Sequence, residues 1–224
     1  MNRVMENSSV VIIAKDFNLS ILKPLWLMNN KIFRPEELEG DIVVTPPAVQ
    51  IQSVNFQFVA LLDRLQVSIP RVYGNGQSDI NRVCGGIVKA LPHTPYTAIG
   101  LNFHYLGAPQ SREEFASWEK ELFASPWARE IEGSQAENAR FGSYLSFDAI
   151  GTRLKIDIKP TNAGGSIGGL CSSWHPGQEL IRVHFNYHTD VTNTDAPAET
   201  VVNRLAKWEE ALAMSTGLVE NICK

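Results

Sequence analysis

Residues 49–69, VQIQSVNFQFVALLDRLQVSI, decide the fold because apolar and polar side chains alternate along them. Val49 and Ile51 alternate with glutamines, and Leu65 and Val67 flank another. A period of two is typical of strands that bury one face and expose the other. Strands of a parallel sheet covered on both faces would lack this alternation. The stretch therefore predicts antiparallel strands with one face in water.

The rest of the chain extends this pattern and adds helices. Alternation returns in residues 97–106, in a hairpin over 139–159, and in 181–190. Helical spacing of apolar residues follows Ser78, an expected N-cap, and follows Asp195. We therefore expect an α+β fold: a predominantly antiparallel, curved sheet with helical insertions and a long C-terminal helix packed on one face. A helix-grip-like arrangement is the alternative form of this architecture.

Length and composition fit one ordinary globular domain. The chain has 224 residues, 44% of them hydrophobic and 20% charged, and a net charge of −4. We expect a single domain over 1–224, with a disordered N-terminus over the polar residues 1–8. The balance of charge argues against a dedicated nucleic-acid binder, which usually carries a basic balance or tail.

Cysteine usage and the N-terminus predict a cytoplasmic protein. The three cysteines, Cys84, Cys171 and Cys223, fit no disulfide framework and indicate free thiols in a reducing compartment. Residues 1–9 lack the basic and apolar regions of a signal peptide, and the apolar run 10–13 is far too short to span a bilayer. No membrane association is expected.

Two motifs resemble reactive sites, but the secondary structure predicted around each one does not suit the chemistry. Residues 164–168 (GGSIG) match a nucleophile elbow, yet no helical period follows to complete it, so a loop between strands is expected. Cys171 with His175, and His184 with His188, have metal-like spacing. On a strand, however, His184 and His188 lie about 13 Å apart, too far to share one ion. We predict no catalytic residue, metal site or cofactor from these motifs.

The outward faces of three predicted strands carry hydrogen-bonding and basic side chains. If these strands are neighbours, they form one polar surface that suits an anionic ligand, a nucleic-acid strand or an acidic partner protein. The more common case for an antiparallel sheet with one exposed face is a solvated face without a binding function. The candidate binding residues are Asn102, His104, Arg153, Lys155, Arg182, His184, Asn186 and His188.

Residues 16–26 (DFNLSILKPLW) are similar to the opening of an uncharacterised bacterial family, in which a strand is followed by Gly-Asp-Phe-Asn-Pro and a helix containing Pro-x-Trp. Residues 98–104 and 183–188 resemble the same family, whereas Lys15 and Leu19 depart from its Gly and Pro. The resemblance implies a bacterial cytosolic protein of unknown role. It provides no catalytic residues to carry over.

Three hypotheses for function follow. The first is a non-enzymatic binding or assembly module, such as an accessory subunit of a larger bacterial system, that associates with another protein or with itself. The second is an enzyme or ligand binder that uses His104, His184 and His188, which requires the three imidazoles to converge in one pocket. The third is a small-ligand carrier with an apolar cavity under the C-terminal helix.

Overall fold

The computed structural model describes residues 2–70, 76–123, 142–163, 174–175 and 177–222. Some sequence predictions concern residues outside these ranges. They are the glycine-rich motif at 164–168, the thiols of Cys171 and Cys223, and residues 139–141 of the predicted hairpin.

Nine strands form one open sheet in the order β2-β3-β4-β5-β1-β6-β9-β8-β7, and every neighbouring pair is antiparallel. The α+β fold with an antiparallel sheet is therefore confirmed. The strands are β1 (Asn2–Ala14), β2 (Ile42–Thr45), β3 (Ala48–Gln52), β4 (Gln57–Leu61), β5 (Arg64–Ile69), β6 (Tyr96–Ala108), β7 (Ser143–Ala149), β8 (Thr152–Asn162) and β9 (Glu179–Asp190).

Helices connect the strands, and two more follow β9, of which the last is the longest among the described residues. No helix in the described part of the chain is long and apolar enough to cross a membrane. The α-helices are α1 (Pro24–Asn29), α2 (Gly76–Ile80), α3 (Gly86–Ala90), α4 (Arg112–Phe123), α5 (Pro197–Leu205) and α6 (Trp208–Ile222), with a 3-10 helix at Pro35–Leu38 and a π-helical turn at Asn81–Gly85.

The first strand lies in the middle of the sheet, and it corrects the prediction of a disordered N-terminus. Residues 2–8 belong to β1 and pair with β6 from Ala108 to Phe103. Their polar side chains suggested disorder, but ladder hydrogen bonds fix the backbone whatever the side chains are. A bulge at Glu6 interrupts the ladder, and its carboxylate lies 3.2 Å from the guanidinium of Arg182.

One face of the sheet carries the hydrophobic core. Phe103 is fully buried between Trp208 of α6, at a ring-centroid distance of 4.7 Å, and Tyr187 of β9, at 6.0 Å. Two tyrosines also hold α6 to the sheet through hydroxyl hydrogen bonds: Tyr105 to Thr216 at 2.9 Å and Tyr187 to Ser215 at 3.0 Å. The predicted packing of the C-terminal helix on one face is therefore present.

The C-terminal helix is divided into two segments, where the sequence predicts one. The first segment, α5, ends at Leu205, and the second, α6, begins at Trp208 after a turn. The side chain of Gln77 caps the end of α5 and the start of α6. Its Nε2 donates to the Leu205 carbonyl at 3.0 Å, and its Oε1 accepts from the Glu209 amide at 3.1 Å. This long-range cap satisfies backbone groups that would otherwise lack partners at the break.

The predicted helix over 78–91 also differs in detail. It begins at Gly76, so Ser78 lies within the first turn and is not an N-cap. Its π-helical turn presents Arg82, whose guanidinium forms ion pairs with the buried carboxylates of Glu37 at 2.6 Å and Asp79 at 2.7 Å. The cluster ties residues 31–38 to the helix.

The second face of the sheet is solvent-exposed over only part of its length. At one end Leu106 and Leu180 are fully buried there, and Trp174, which is 5% exposed, packs with them in a second small core. The two-residue alternation predicted a solvated face, and this end departs from that expectation because another segment of the chain lies over it. The remaining part of this face carries the predicted binding residues.

Candidate functional site

The strand register places all eight candidate residues on the second face of three adjacent strands, β6, β9 and β8. Between β6 and β9, His104 lies opposite His184, and Asn102 lies opposite Asn186. We call the surface formed by the eight residues the polar face. Its rows across β9 and β8 pair Arg182 with Lys159, His184 with Asp157, Asn186 with Lys155, and His188 with Arg153.

A stacked pair of histidines forms the centre of the polar face. The rings of His104 and His184 lie 4.0 Å apart at an interplanar angle of 11°. His184 Nε2 donates to Asn102 Oδ1 at 3.2 Å, and Asn102 Nδ2 donates to the Gly100 carbonyl at 3.4 Å. Asn102 itself is only 7% exposed. The centre is therefore a stacked imidazole pair, in which the His184 ring is held by a short hydrogen-bonded chain that ends at the Gly100 carbonyl.

Burial keeps these imidazoles neutral. Desolvation lowers the pKa of His104 to about 4, and the nearby charges of His184, Arg182 and Lys159 act in the same direction. Desolvation also lowers the pKa of His184, with Asp157 opposing it. At neutral pH each ring is thus a hydrogen-bonding group without charge.

The third histidine lies apart from the pair. His188 is opposite Gly100 on one side and Arg153 on the other, two rows from His184. Four residues of strand separate it from His184 by about 13 Å. Burial lowers the pKa of His188 as well, and Lys155 adds to this effect. The convergence of three histidines that the enzyme hypothesis requires is therefore met by two of them only.

Carboxylates neutralise most of the basic residues that suggested a cationic surface. Arg182 pairs with Glu6 at 3.2 Å, Lys159 with Asp157 at 2.8 Å, and Arg153 with Asp148 at 3.1 Å. Two of these carboxylates come from strands outside the three that the sequence considered, β1 and β7. The net positive charge of the polar face is consequently smaller than its basic residues suggest, and Lys155 has no ion pair among the described residues.

The described residues include no group of three or more His, Cys, Asp or Glu side chains able to hold a metal ion. The stacking makes the histidine pair unsuited to one, because nearly parallel rings direct their nitrogen lone pairs within two separate, nearly parallel planes. Ligands of a single ion must instead converge on a point about 2 Å from each nitrogen.

Gly100 is a site residue that the sequence reading missed. A Cβ atom there would lie 3.6 Å from both Asn102 Nδ2 and Asn186 Oδ1. Within the described residues, the buried Asn186 Oδ1 has no hydrogen-bond partner. The glycine thus lets the backbone lie close to two amides, one of which has unused acceptor capacity. A glycine inside an alternating strand was the available signal.

Among the described residues, side chains of α5 and α6 pack against the sheet where the third hypothesis places an apolar cavity. Residues of α5 and α6 that face the sheet, including Val201, Ala211 and Ser215, are fully buried against it. A groove of about 520 Å³ lies instead between the end of α3 and the start of α5, with Val88 and Val202 among its lining residues. Its rim is charged, and it opens to solvent.

The two edges of the sheet form a second candidate surface. Of nine large hydrophobic side chains that are exposed among the described residues, six lie on the edge strands β2 and β7. An exposed apolar edge presents unpaired backbone groups beside apolar side chains, and it is a template for another strand. The six are Ile42, Val43, Val44, Tyr144, Leu145 and Phe147.

No protein-family model matches the chain, and no curated protein is significantly similar to it. The fold and these two surfaces therefore carry the functional argument.

Proposed function

We propose that the chain is a non-enzymatic binding or assembly module that associates through the edges of its sheet, either with another protein or with a second copy of itself. The concentration of exposed apolar side chains on the two edge strands carries the proposal. Scattered exposed apolar residues need no explanation, but a clustered set beside unpaired backbone groups marks an interaction surface. A partner strand would satisfy both the backbone and the side chains.

The chemistry of the polar face favours this proposal over catalysis. A general base or acid at neutral pH works best with a pKa near that pH, whereas burial lowers the pKa of His104 to about 4. His184 is engaged by an amide, Asn102, which holds the ring but cannot stabilise an imidazolium as a carboxylate would. The pair therefore resembles a structural element more than a proton relay.

The test uses one variant on each edge. Light scattering coupled to size exclusion should give a mass above 24.9 kDa that rises with concentration. Val43→Lys in β2 and Leu145→Lys in β7 place a charge on each edge, and at least one should lower this mass or abolish capture of a protein partner from native lysate. A monomer whose binding to other proteins is unchanged by both variants would contradict the proposal.

The cellular setting is part of the proposal. The resemblance of residues 16–26 to a bacterial family, and an odd cysteine count with Cys84 buried as a free thiol, support a bacterial cytoplasmic accessory subunit. Co-purification of the tagged chain with a larger complex from its own cytoplasm would support this setting. Recovery from a secreted or periplasmic fraction would contradict it.

A second candidate, a binder of a small polar ligand, is favoured by one observation: the buried Asn186 Oδ1, beside Gly100, has no hydrogen-bond partner among the described residues. A ligand that donates a hydrogen bond would suit this acceptor, and Lys155 lies at the opposite strand position, beside Asn186. Gly100→Ala adds a Cβ atom that would contact the amides of Asn102 and Asn186 at ordinary distance. Thermal-shift screening with neutral nucleosides and small amides should then give a response in the natural chain that this variant loses. No response in either would remove the candidate.

A further inference from the structure

The hairpin between β7 and β8 fixes which backbone groups of the edge strand point outward. Its loop has two residues, Ile150 and Gly151, with φ of 46° and 72°, as a type I′ turn requires. Such a turn makes Ala149 and Thr152 a hydrogen-bonded closing pair. Because the pattern alternates, Ser143, Leu145, Phe147 and Ala149 bond to β8, and the residues between them do not.

Tyr144, Ser146 and Asp148 therefore direct their N–H and C=O groups away from β8, toward the open side of the sheet. The strand has seven residues, five of them exposed, with Ser146 at its middle. An antiparallel copy of the same strand can pair with it only if outward groups meet outward groups. This condition allows registers centred on a residue and forbids those centred between two.

Resting on the proposed function, we propose that the partner is a second copy of this chain, joined β7 to β7 about a two-fold axis through Ser146. Of the allowed registers, this one pairs all seven residues of the strand; moving the centre by one residue pairs five. Each Ser146 faces its equivalent, and each Tyr144 faces Asp148 of the partner copy. The two sheets of nine strands then form one continuous sheet.

The side chains are self-complementary in this register. Leu145 lies opposite Phe147 of the partner copy, and the reverse pair forms by symmetry, on the face that carries the helices. These are non-hydrogen-bonded positions, where side chains come closest and apolar–aromatic pairs stabilise a sheet most. On the polar side each Asp148 meets a tyrosine, so no like charges are opposed. Each Asp148 also keeps its ion pair with Arg153.

The opposite edge is protected against the same association. β2 has four residues and runs directly into Pro46 and Pro47. Shortness and flanking prolines are common devices that prevent edge pairing, and β7 contains neither proline nor lysine. Pairing β2 of one copy with β7 of another would also be head-to-tail and would propagate into fibres, whereas β7 with β7 closes as a dimer.

Cysteine cross-linking tests the register. The background has Cys171 and Cys223 changed to serine. In it, Ser146→Cys gives two cysteines whose Cα atoms lie about 5.5 Å apart across the two-fold axis, within the range for a disulfide. Mild oxidation should convert most of the Ser146→Cys chain to a covalent dimer. The matched control is Tyr144→Cys on the same face of β7, which lies about 13 Å from its equivalent in this register and should not cross-link.

The outcomes separate this inference from the proposed function. Cross-linking of Ser146→Cys and not of Tyr144→Cys supports the two-fold pairing. No cross-linking of Ser146→Cys, or equal cross-linking of both variants, overturns it. If the chain nevertheless associates through an edge by light scattering, the proposed function stands and only the β7 self-pairing fails. If it is also a monomer without an edge-dependent partner, both fail.

Discussion

The centre of the polar face and the β7 edge of the same sheet differ in where their groups find partners. At the centre, several polar side chains contact one another: His104 stacks on His184, His184 donates to Asn102, and Arg182 pairs with Glu6. At the edge, Leu145 is 47% exposed. Polar residues in a sheet can thus belong to the structure, while apolar ones remain available for binding.

This contrast predicts that edge variants change association and central variants change stability. The largest expected effect is on association, in the double variant Leu145→Lys/Phe147→Lys. It removes two apolar cross-strand pairs and opposes lysines instead, which should weaken the dimer by about 2–4 kcal/mol. Sedimentation equilibrium would measure this.

The matched control for that variant is Val43→Lys on β2, which should leave the dimer intact. Because these positions are exposed, each variant should keep its unfolding free energy in the monomer within about 0.5 kcal/mol of the natural chain. A double variant that still dimerises would contradict the predicted difference between edge and central residues, and so would a double variant that unfolds.

The next largest effect is expected at the centre. Asn102→Leu removes the acceptor of the His184 Nε2–H in a buried position, and the unfolding free energy should fall by about 1–3 kcal/mol. Urea denaturation would measure the loss. Asn186→Ala is the control, since its Oδ1 has no partner among the described residues, and it should be better tolerated. Equal losses would show that Asn102 has no special structural role.

A smaller effect concerns pH. The folded chain holds the pKa of His104 at about 4, below the ordinary 6.5, so the unfolded chain takes up a proton first as the pH falls. The contribution of His104 is complete above pH 6.5, decreases as the pH falls, and levels off below about 4. Solvent screening limits it to about 1–2 kcal/mol.

Replacing His104 by Asn should therefore flatten the dependence of melting temperature on pH between 6.5 and 4. Carboxylates titrate in both proteins, so the difference between the two profiles isolates the histidine. A variant with the same slope as the natural chain would mean that the stacked pair is charged or solvated in solution.

The smallest effect is expected for nucleic acid. Because Arg182, Lys159 and Arg153 are each paired with a carboxylate, single-stranded oligonucleotides should bind weakly, with a salt slope near one or less. Fluorescence anisotropy at several salt concentrations would test this. Tight binding that weakens steeply with salt would show that the polar face acts as a cationic surface after all.

Local patterns predicted the strands and helices, because alternation and helical spacing are properties of neighbouring residues. The same patterns placed the eight polar residues on outward faces, and the register brought them together on three strands. The neutralising partners were missed because Glu6 and Asp148 come from strands whose positions depend on the strand order. A sequence does not state that order.

The edges were missed for the same reason. In sequence, Val43, Val44 and Leu145 resemble core residues, and only the strand order shows that β2 and β7 are outermost. Tyr144, Leu145 and Phe147 do place apolar side chains on both faces of one strand, which departs from alternation and was the available signal. The break at Ala206 was likewise hidden, since its cap is the distant Gln77.

Amide hydrogen exchange measured by NMR at two protein concentrations tests the central claim most directly. If β7 pairs with a second copy, the amides of Tyr144, Ser146 and Asp148 should gain protection as concentration rises. Those of Leu145 and Phe147, already bonded to β8, should change little. Exchange at Tyr144, Ser146 and Asp148 that stays fast and independent of concentration would contradict the account.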